Sequence, residues 1–484
     1  MFVDLKTSRR GDNMKKNITG KKIIFFVTIL LITSSMPLTL SMINKAYTPA
    51  SLNGYILFCP LDSNTTYLID AAGNVRHTWP GSSVPNYSVY ALENGSIVRT
   101  VDNINKGTTG VEIIDWNGTV VWRFEYYSTQ YMLHHDIKPL PNGNILMISY
   151  DYKTLEEAIE AGLNPISGGV TPDKIIEVRP TGPTSGDIVW EWHVWDHLIQ
   201  DFDPSKENYG VVADHPELID INYGPGSWDW NHINSVDYNE EFDQILLSVH
   251  SFSEVWVIDH STTTQEASGH TGGRSGKGGD LLYRWGNPAA YRAGTPSDQK
   301  FFGQHDASWI DPGCPGAGDI LVFNNGFGRP EGRYSSVDEI VPPVNDTGHY
   351  FLAPGAAYGP DEQVWVYTAE NPMSMYSILL SSAQRLPNGN TLLCSGSQGL
   401  FLEVTPEKQV VWRFTNLLPV PGVNDVFKIH RYPTDYPGVH EAINSNKKGF
   451  NAMNILLKEV FSYLLKDRMG VLHAPVGFEH QGTK

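Results

Sequence analysis

The chain is short of cysteine, of positive charge and of helical periodicity, and each shortage removes a class of protein. Cys59, Cys314 and Cys394 are its three cysteines in 484 residues. They form no C-x-x-C or zinc-finger spacing, so neither a disulfide framework nor a structural metal is expected, although one disulfide with a spare thiol stays open. Acidic residues outnumber basic ones by 53 to 35, for a formal charge of -18. Such a surface does not suit a phosphate backbone, and nucleic acid is not expected as a partner. A His-Glu-x-x-His helix motif is also missing, and the one tight His-x-x-x-Glu pair, His250 and Glu254, spans an expected hairpin turn. A metal-dependent hydrolase or oxidoreductase is therefore the weakest reading, and we expect no metal and no cofactor. The loop GRSGKGG (273–279) lacks a leading glycine at the phosphate-loop distance, and Gly278 follows Lys277 where Ser or Thr is required. Nucleotide binding is not expected there.

What is present begins with an address. Lys15, Lys16, Lys21 and Lys22 precede an apolar run over 23–43, interrupted by Ser34, Ser35 and Pro37. That pattern reads as a signal peptide or an uncleaved membrane anchor, with the body after Lys45 outside the cytoplasm, periplasmic or at the cell surface. Asn64, Asn86, Asn94, Asn117 and Asn345 open Asn-x-Ser/Thr sequons in that body, glycosylation candidates in a host with the machinery.

The body reads as all-β. Short apolar runs are bounded by Gly, Pro, Asn and Asp, and 45 glycines with 31 prolines supply the turns between them. A period emerges from tryptophan-bearing strands at Trp79, Trp122, Trp190, Trp285, Trp365 and Trp412. Asn-Gly pairs at 94–95, 142–143 and 388–389 lie between apolar runs and are expected to form type I′ hairpins. Two hairpins per repeat make a four-stranded blade, and six repeats predict a six-bladed β-propeller. The expected division is a signal or anchor segment over 1–50, the propeller over 51–437, and a short helical tail over 438–484. Insertions are expected as a short helix over 155–162, a long polar loop over 195–225, and a Gly/Ser/Thr-rich loop over 261–279. The run NAMNILLKEVFSYLLKD (451–467) has apolar residues at helical spacing, suited to packing on the propeller or to self-association as a homodimer.

The stretch WDWNHINSVDYNEEFDQILLSVHSFSEVWVID (228–259) places His232 at the entrance to a buried hairpin, and weaker copies place His135 and His305 similarly. Inner strands of a propeller converge on its axis, so three histidines at equivalent points predict a shared axial site. Two chemistries suit them. One is metal ligation; the other is transfer of an anionic group, with imidazoles as nucleophile and acid or base and a guanidinium such as Arg329 holding the oxygens.

The motifs WNHINSV (230–236), SEVWVID (253–259), GQHDAS (303–308), FNNGFGR (323–329) and SSAQRLPNGNTLL (381–393) resemble, in this order, the arylsulfotransferase family. The resemblance runs from about residue 55 to 437. It implies a six-bladed propeller of the cell envelope that moves a sulfuryl group from an aryl sulfate to a phenolic acceptor through a sulfated histidine, without a nucleotide sulfate donor. Carried over, it implies catalytic roles for His232 and His305, with His135 added from its repeat position, and substrate contacts for Arg329, Asn325 and Asn234. The family's late-blade nucleophilic histidine has no counterpart over 376–401, where Leu379 and Gly399 stand. Another histidine then serves, with His305 and His232 first in line and His430 beyond the last blade, or the transfer is a direct displacement. The alternative is a non-catalytic cell-surface propeller that binds an aromatic or anionic ligand.

Overall fold

A computed structural model describes residues 50–443 apart from 62, 82–83, 104–107, 166–169, 227–228, 423 and 441. The apolar run over 23–43 and the amphipathic run over 451–467 lie outside the described residues. Among the described residues no helix is long and apolar enough to cross a membrane.

Six antiparallel four-stranded sheets form a six-bladed β-propeller. The inner strands of the second to sixth blades are Val84–Ala91, Tyr131–Pro139, Ile233–Asn239, His305–Trp309 and Ser382–Arg385. The first blade takes its inner strand, Val426–Tyr432, from the far end of the chain, and this strand pairs antiparallel with Tyr55–Pro60. The ring is thus closed by hydrogen bonds between its two ends. Middle strands such as Gln244–Val249 and Glu254–Asp259 are buried throughout, because each blade is covered on both faces by its neighbours. They therefore read as apolar runs instead of alternating ones. Outer strands are partly open to solvent: in Val120–Glu125, Trp122 is buried while Val120 and Val121 are exposed.

Register explains the uneven spacing of the marker tryptophans. Pairings traced outward from Tyr90, Lys138, Asp237, Ser308, Gln384 and His430 reach one fourth-strand level, held by Trp122, Trp190, Tyr283, Trp365, Trp412 and His77. Trp79 and Trp285 therefore lie two residues past the repeat position, which His77 and Tyr283 occupy. All six tryptophans nevertheless clasp the next blade. Their indole N–H groups donate to Asp115 O, Ser185 O, Thr262 Oγ1, Pro360 O, Pro406 O and, closing the circle, Ala71 O.

Two local expectations are corrected. The Asn-Gly hairpins are not type I′. Gly95, Gly143 and Gly389 have φ of 85° but the preceding asparagines do not appear among the left-handed residues, and Gly143 N and Gly389 N donate to Leu140 O and Leu386 O. Pro141 and Pro387 cannot take the positive φ that a longer left-handed turn would need, so each is a type I turn with glycine alone in the left-handed position. The 195–225 insertion is not simply polar: Leu198–Ile199 and Ile219–Asp220 pair in parallel, and Leu198, Ile219 and Ile221 join the core around Trp192 and Trp230. The expected helix forms over Leu155–Glu160, with Thr154 and Glu157 as a capping box. All three cysteines are free.

Candidate active site at the histidine end of the channel

Three positions before the inner-strand level named above stand Tyr87, His135, Asn234, His305, Ser381 and Phe427. His135 and His305 are therefore equivalent, as expected, whereas His232 is two residues early and Asn234 holds its repeat position. Bulges still bring all three histidines together. Register shifts lie between Leu133 and Ile137, Ile233 and Ser235, and His305 and Ser308. His135 and His232 take φ of 55° and 51°, a left-handed conformation unusual outside glycine that re-aims the side chains.

Ring centroids are 4.6 Å apart for His135 and His232, 5.1 Å for His232 and His250, and 5.4 Å for His250 and His305. Tyr87 stacks on His135 at 4.6 Å, and Phe427 meets Tyr87, His135 and His305 edge-on. The result is an arc of imidazoles against an aromatic wall.

Hydrogen bonds assign each ring a different state. Asp173 Oδ1 lies 3.0 Å from His134 Nε2, and His134 Nδ1 lies 2.8 Å from His135 Nδ1. The other Asp173 oxygen accepts from Asn231 Nδ2 and Ile233 N. A carboxylate so surrounded by donors accepts from His134 Nε2–H, which leaves His134 Nδ1 to accept from His135 Nδ1–H. His135 Nε2 then carries a lone pair. Burial, reinforced by the neighbouring histidines His232, His134, His305 and His250, holds the His135 pKa well below the ordinary imidazole value.

His232 is oriented differently, with Nδ1 2.5 Å from Asp229 Oδ2. Burial resists ionisation of Asp229, but the hydrogen bond and charge of His232 outweigh it and lower the carboxyl pKa. His305 has both nitrogens engaged: Nδ1 is 2.9 Å from Asn325 Oδ1, and Nε2 accepts from Leu380 N at 3.3 Å. Burial, then the charge of His250, holds it neutral. Burial, with help from His232, pushes His250 down to about 3.

Asn325 also donates to Ser377 O and Leu380 O, so it ties the fifth blade to the sixth beneath His305. Asn234 donates to Gln304 O, while its Oδ1 is buried without a partner among the described residues. Arg329 lies on the turn that carries Asn325. Its guanidinium donates to Tyr334 OH and Ser336 Oγ and lies 4.2 Å from the Tyr334 ring and 5.0 Å from the Phe302 ring. The structure does not pair it with a channel histidine; its buried Nε is the donor left without a partner among the described residues.

One step below the histidines, Lys428 Nζ lies 2.6 Å from both Asp136 Oδ2 and Asp306 Oδ1, and donates to Tyr90 OH. Burial opposes this charge, but the two aspartates hold the lysine pKa well above its ordinary value. A cavity of about 440 Å³ at the next level is lined by Lys138, Asp237, Gln384 and His430, so His430 faces the other end of the channel. The GRSGKGG loop spends its amides internally: Arg274 N and Ser275 N donate to Ser261 Oγ and Asp259 Oδ2. The sequence reading missed Asp229, Asp173, His134 and Lys428. The doubled histidine in HHD (134–136), and a lysine inside the apolar strand VFKIHRY, were the available signals.

Fold and site together define a six-bladed propeller with a cluster of histidines about its axis. The chain belongs to the arylsulfotransferase family: the family described as Arylsulfotransferase (ASST) matches residues 39–417, which supports a sulfotransferase enzyme. No curated protein matches. Among solved structures, a protein of unknown function from Bacteroides caccae is 14% identical, with 79% of this chain and 99% of that one covered at a TM-score of 0.44. A putative 6-phosphogluconolactonase from Bacteroides fragilis is 10% identical, with 80% and 99% covered at a TM-score of 0.39. Neither likeness carries an argument.

Proposed function

We propose that this protein moves a sulfuryl group from an aryl sulfate donor to a phenolic acceptor outside the cytoplasm, without a nucleotide sulfate, and that His135 is the nucleophile. The observation that carries the reading is the Asp173–His134–His135 chain, which leaves an unprotonated Nε2 beside His232. In the first half-reaction His135 Nε2 attacks sulfur and the sulfur–aryloxy bond breaks. The Nδ1 proton of His135 passes to His134 Nδ1, whose new charge is balanced by Asp173, and His232, entering the step as an imidazolium with its Nδ1–H on Asp229, gives its Nε2 proton to the departing phenolate. In the second half, the phenol oxygen attacks sulfur as the sulfur–Nε2 bond to His135 breaks, His232 takes the phenol proton, and the Nδ1 proton returns from His134 to His135. Arg329 Nε is the donor left to hold a sulfonate oxygen, and Tyr87, beside His135, offers an aromatic surface for the aryl ring.

The test is a two-substrate assay of the chain from Ser51, with p-nitrophenyl sulfate in the presence and absence of phenol. Nitrophenol release that depends on phenol, with a protein mass increased by one sulfuryl group when phenol is withheld, is expected. His135→Ala should abolish both. Label on another histidine would sink the assignment of His135, and no release from any aryl sulfate would turn the reading to a binding propeller.

A further inference from the structure

We propose that His197, His270 and Asp280 form a binding site for one divalent transition-metal ion of the zinc class, built in the insertions of the third and fourth blades and sharing no residue with the channel cluster. His197 ends the 3-10 turn Val194–His197 that follows the outer strand Ser185–His193. Its side chain is fully buried and its ring is stacked with Trp192 at 5.7 Å. His270 and Asp280 flank the glycine-rich loop that was too irregular for a phosphate site.

Both nitrogens of His197 face acceptors. Nε2 is 2.9 Å from Ala267 O, and Nδ1 is 2.9 Å from Asp280 Oδ1. A neutral imidazole has one N–H, and a carbonyl oxygen can only accept, so the Nε2 contact uses that proton. The Nδ1 lone pair then confronts a carboxylate oxygen, which requires a cation between them: a second proton or a metal. His270 Nδ1 lies 2.7 Å from the same oxygen, and one ligand atom from each of the three residues lies within 4.8 Å of the others. Three ligands at roughly 2.0–2.2 Å from one ion fall within that spread. The Nε2–H to backbone carbonyl bond is the outer-shell contact that a metal-bound histidine makes, fixing the tautomer that exposes Nδ1.

Two imidazoles with one carboxylate suit zinc and its neighbours better than calcium or magnesium, which prefer oxygen. The exposed ring of His270 borders a cavity of about 380 Å³, which leaves the fourth position to water. The loop is shaped for this approach. A Cβ on Gly279 would come 2.0 Å from Ala267 O and 2.6 Å from His197 Nε2, so only glycine lets Asp280 reach the ring. The ion would fasten this loop to a residue 83 positions earlier.

The full chain, without an affinity tag that binds metal, is loaded with Zn²⁺, dialysed and assayed by plasma mass spectrometry beside His270→Ala. His270 is exposed, so the variant keeps its fold. Because channel histidines can also take up metal, the difference between the two proteins is the readout: about one ion per chain more in the wild type. Chelation should lower the melting temperature of the wild type and leave that of His270→Ala unchanged. Equal metal in both proteins, or a wild type that dialyses to none, would overturn the site and leave a buried imidazolium–carboxylate pair.

Discussion

The backbone N–H of Leu380 donates to Nε2 of His305, while Nδ1 of the same ring faces Asn325 Oδ1. A neutral imidazole has one donor and one acceptor, and both are used inside the protein. The region that lacks the late-blade histidine thus contributes a backbone donor that occupies His305. We predict that His305→Gln lowers turnover by about tenfold, through looser positioning, and keeps the sulfated intermediate. Intact-mass analysis after donor alone checks this; an unlabelled variant would return His305 to the nucleophile's place.

His232, held by Asp229, is assigned the proton that the leaving phenolate needs. Its importance should therefore depend on the leaving group. With unsubstituted phenyl sulfate, His232→Gln is expected to lose about 10²–10⁴-fold in kcat/KM, the usual worth of general-acid catalysis. With p-nitrophenyl sulfate, whose phenolate leaves without help, the loss should be much smaller. Equal losses for the two donors would mean that His232 positions the substrate and does not protonate it.

How much of this was legible in the sequence follows the physics of each feature. Blades were legible because outer-strand aromatics and Pro-Asn-Gly turns repeat locally, and six markers gave six blades. The two displaced tryptophans, Trp79 and Trp285, still count correctly because both clasp the next blade. The site was half legible. His135, His232 and His305 carry their chemistry in their side chains and recur near strand starts. Asp173 and Lys428 act through partners 39 and 292 positions away, and no local pattern announces such pairings. The offset of His232 was hidden because a bulge adds residues without changing the strand's apolar character.

His260 bridges the third and fourth blades, with Nε2 2.9 Å from Glu177 Oε2 and Nδ1 2.7 Å from Asp243 Oδ1. Burial alone would lower its pKa, but these two bonds raise it to about 9. A folded-state pKa above the unfolded value means stability that is complete below about 6.5 and is lost as pH rises through about 9. His193, between Asp151 and Glu191, is raised to about 9 in the same way. We expect the urea midpoint to fall across that window by the equivalent of a few kcal/mol at most, and His260→Gln to flatten part of the fall. A wild-type midpoint that holds or rises over this range would refute the assignment.

Lys428 stands between Asp136 and Asp306, all three buried. Replacing it by methionine leaves two carboxylates facing each other without a cation. Breaking a buried pair from one side costs about 3–5 kcal/mol, so Lys428→Met should unfold at markedly lower denaturant. Adding Asp136→Asn and Asp306→Asn to the same chain should recover much of the loss, because the repulsion disappears. If the single and triple variants unfold alike, lysine packing and not its charge is what matters.

The last clasp of the ring joins Trp412 to Ala71 O, across 341 positions, at 2.7 Å. Five clasps join blades that are neighbours in sequence, whereas this one joins the sixth blade to the first, where inner-strand pairing of Val426–Tyr432 with Tyr55–Pro60 also closes the circle. Trp412→Phe removes one buried hydrogen bond and part of an indole, a loss of about 1–3 kcal/mol. Trp122→Phe removes the same chemistry between the second and third blades. If closure is the weak point of the ring, hydrogen exchange in Trp412→Phe should rise in the first and sixth blades and leave the third and fourth protected. In Trp122→Phe, any increase should stay local to that junction. Uniform exchange throughout the ring in both variants would mean that the propeller opens only as a whole, and that the seam is no weaker than any other boundary.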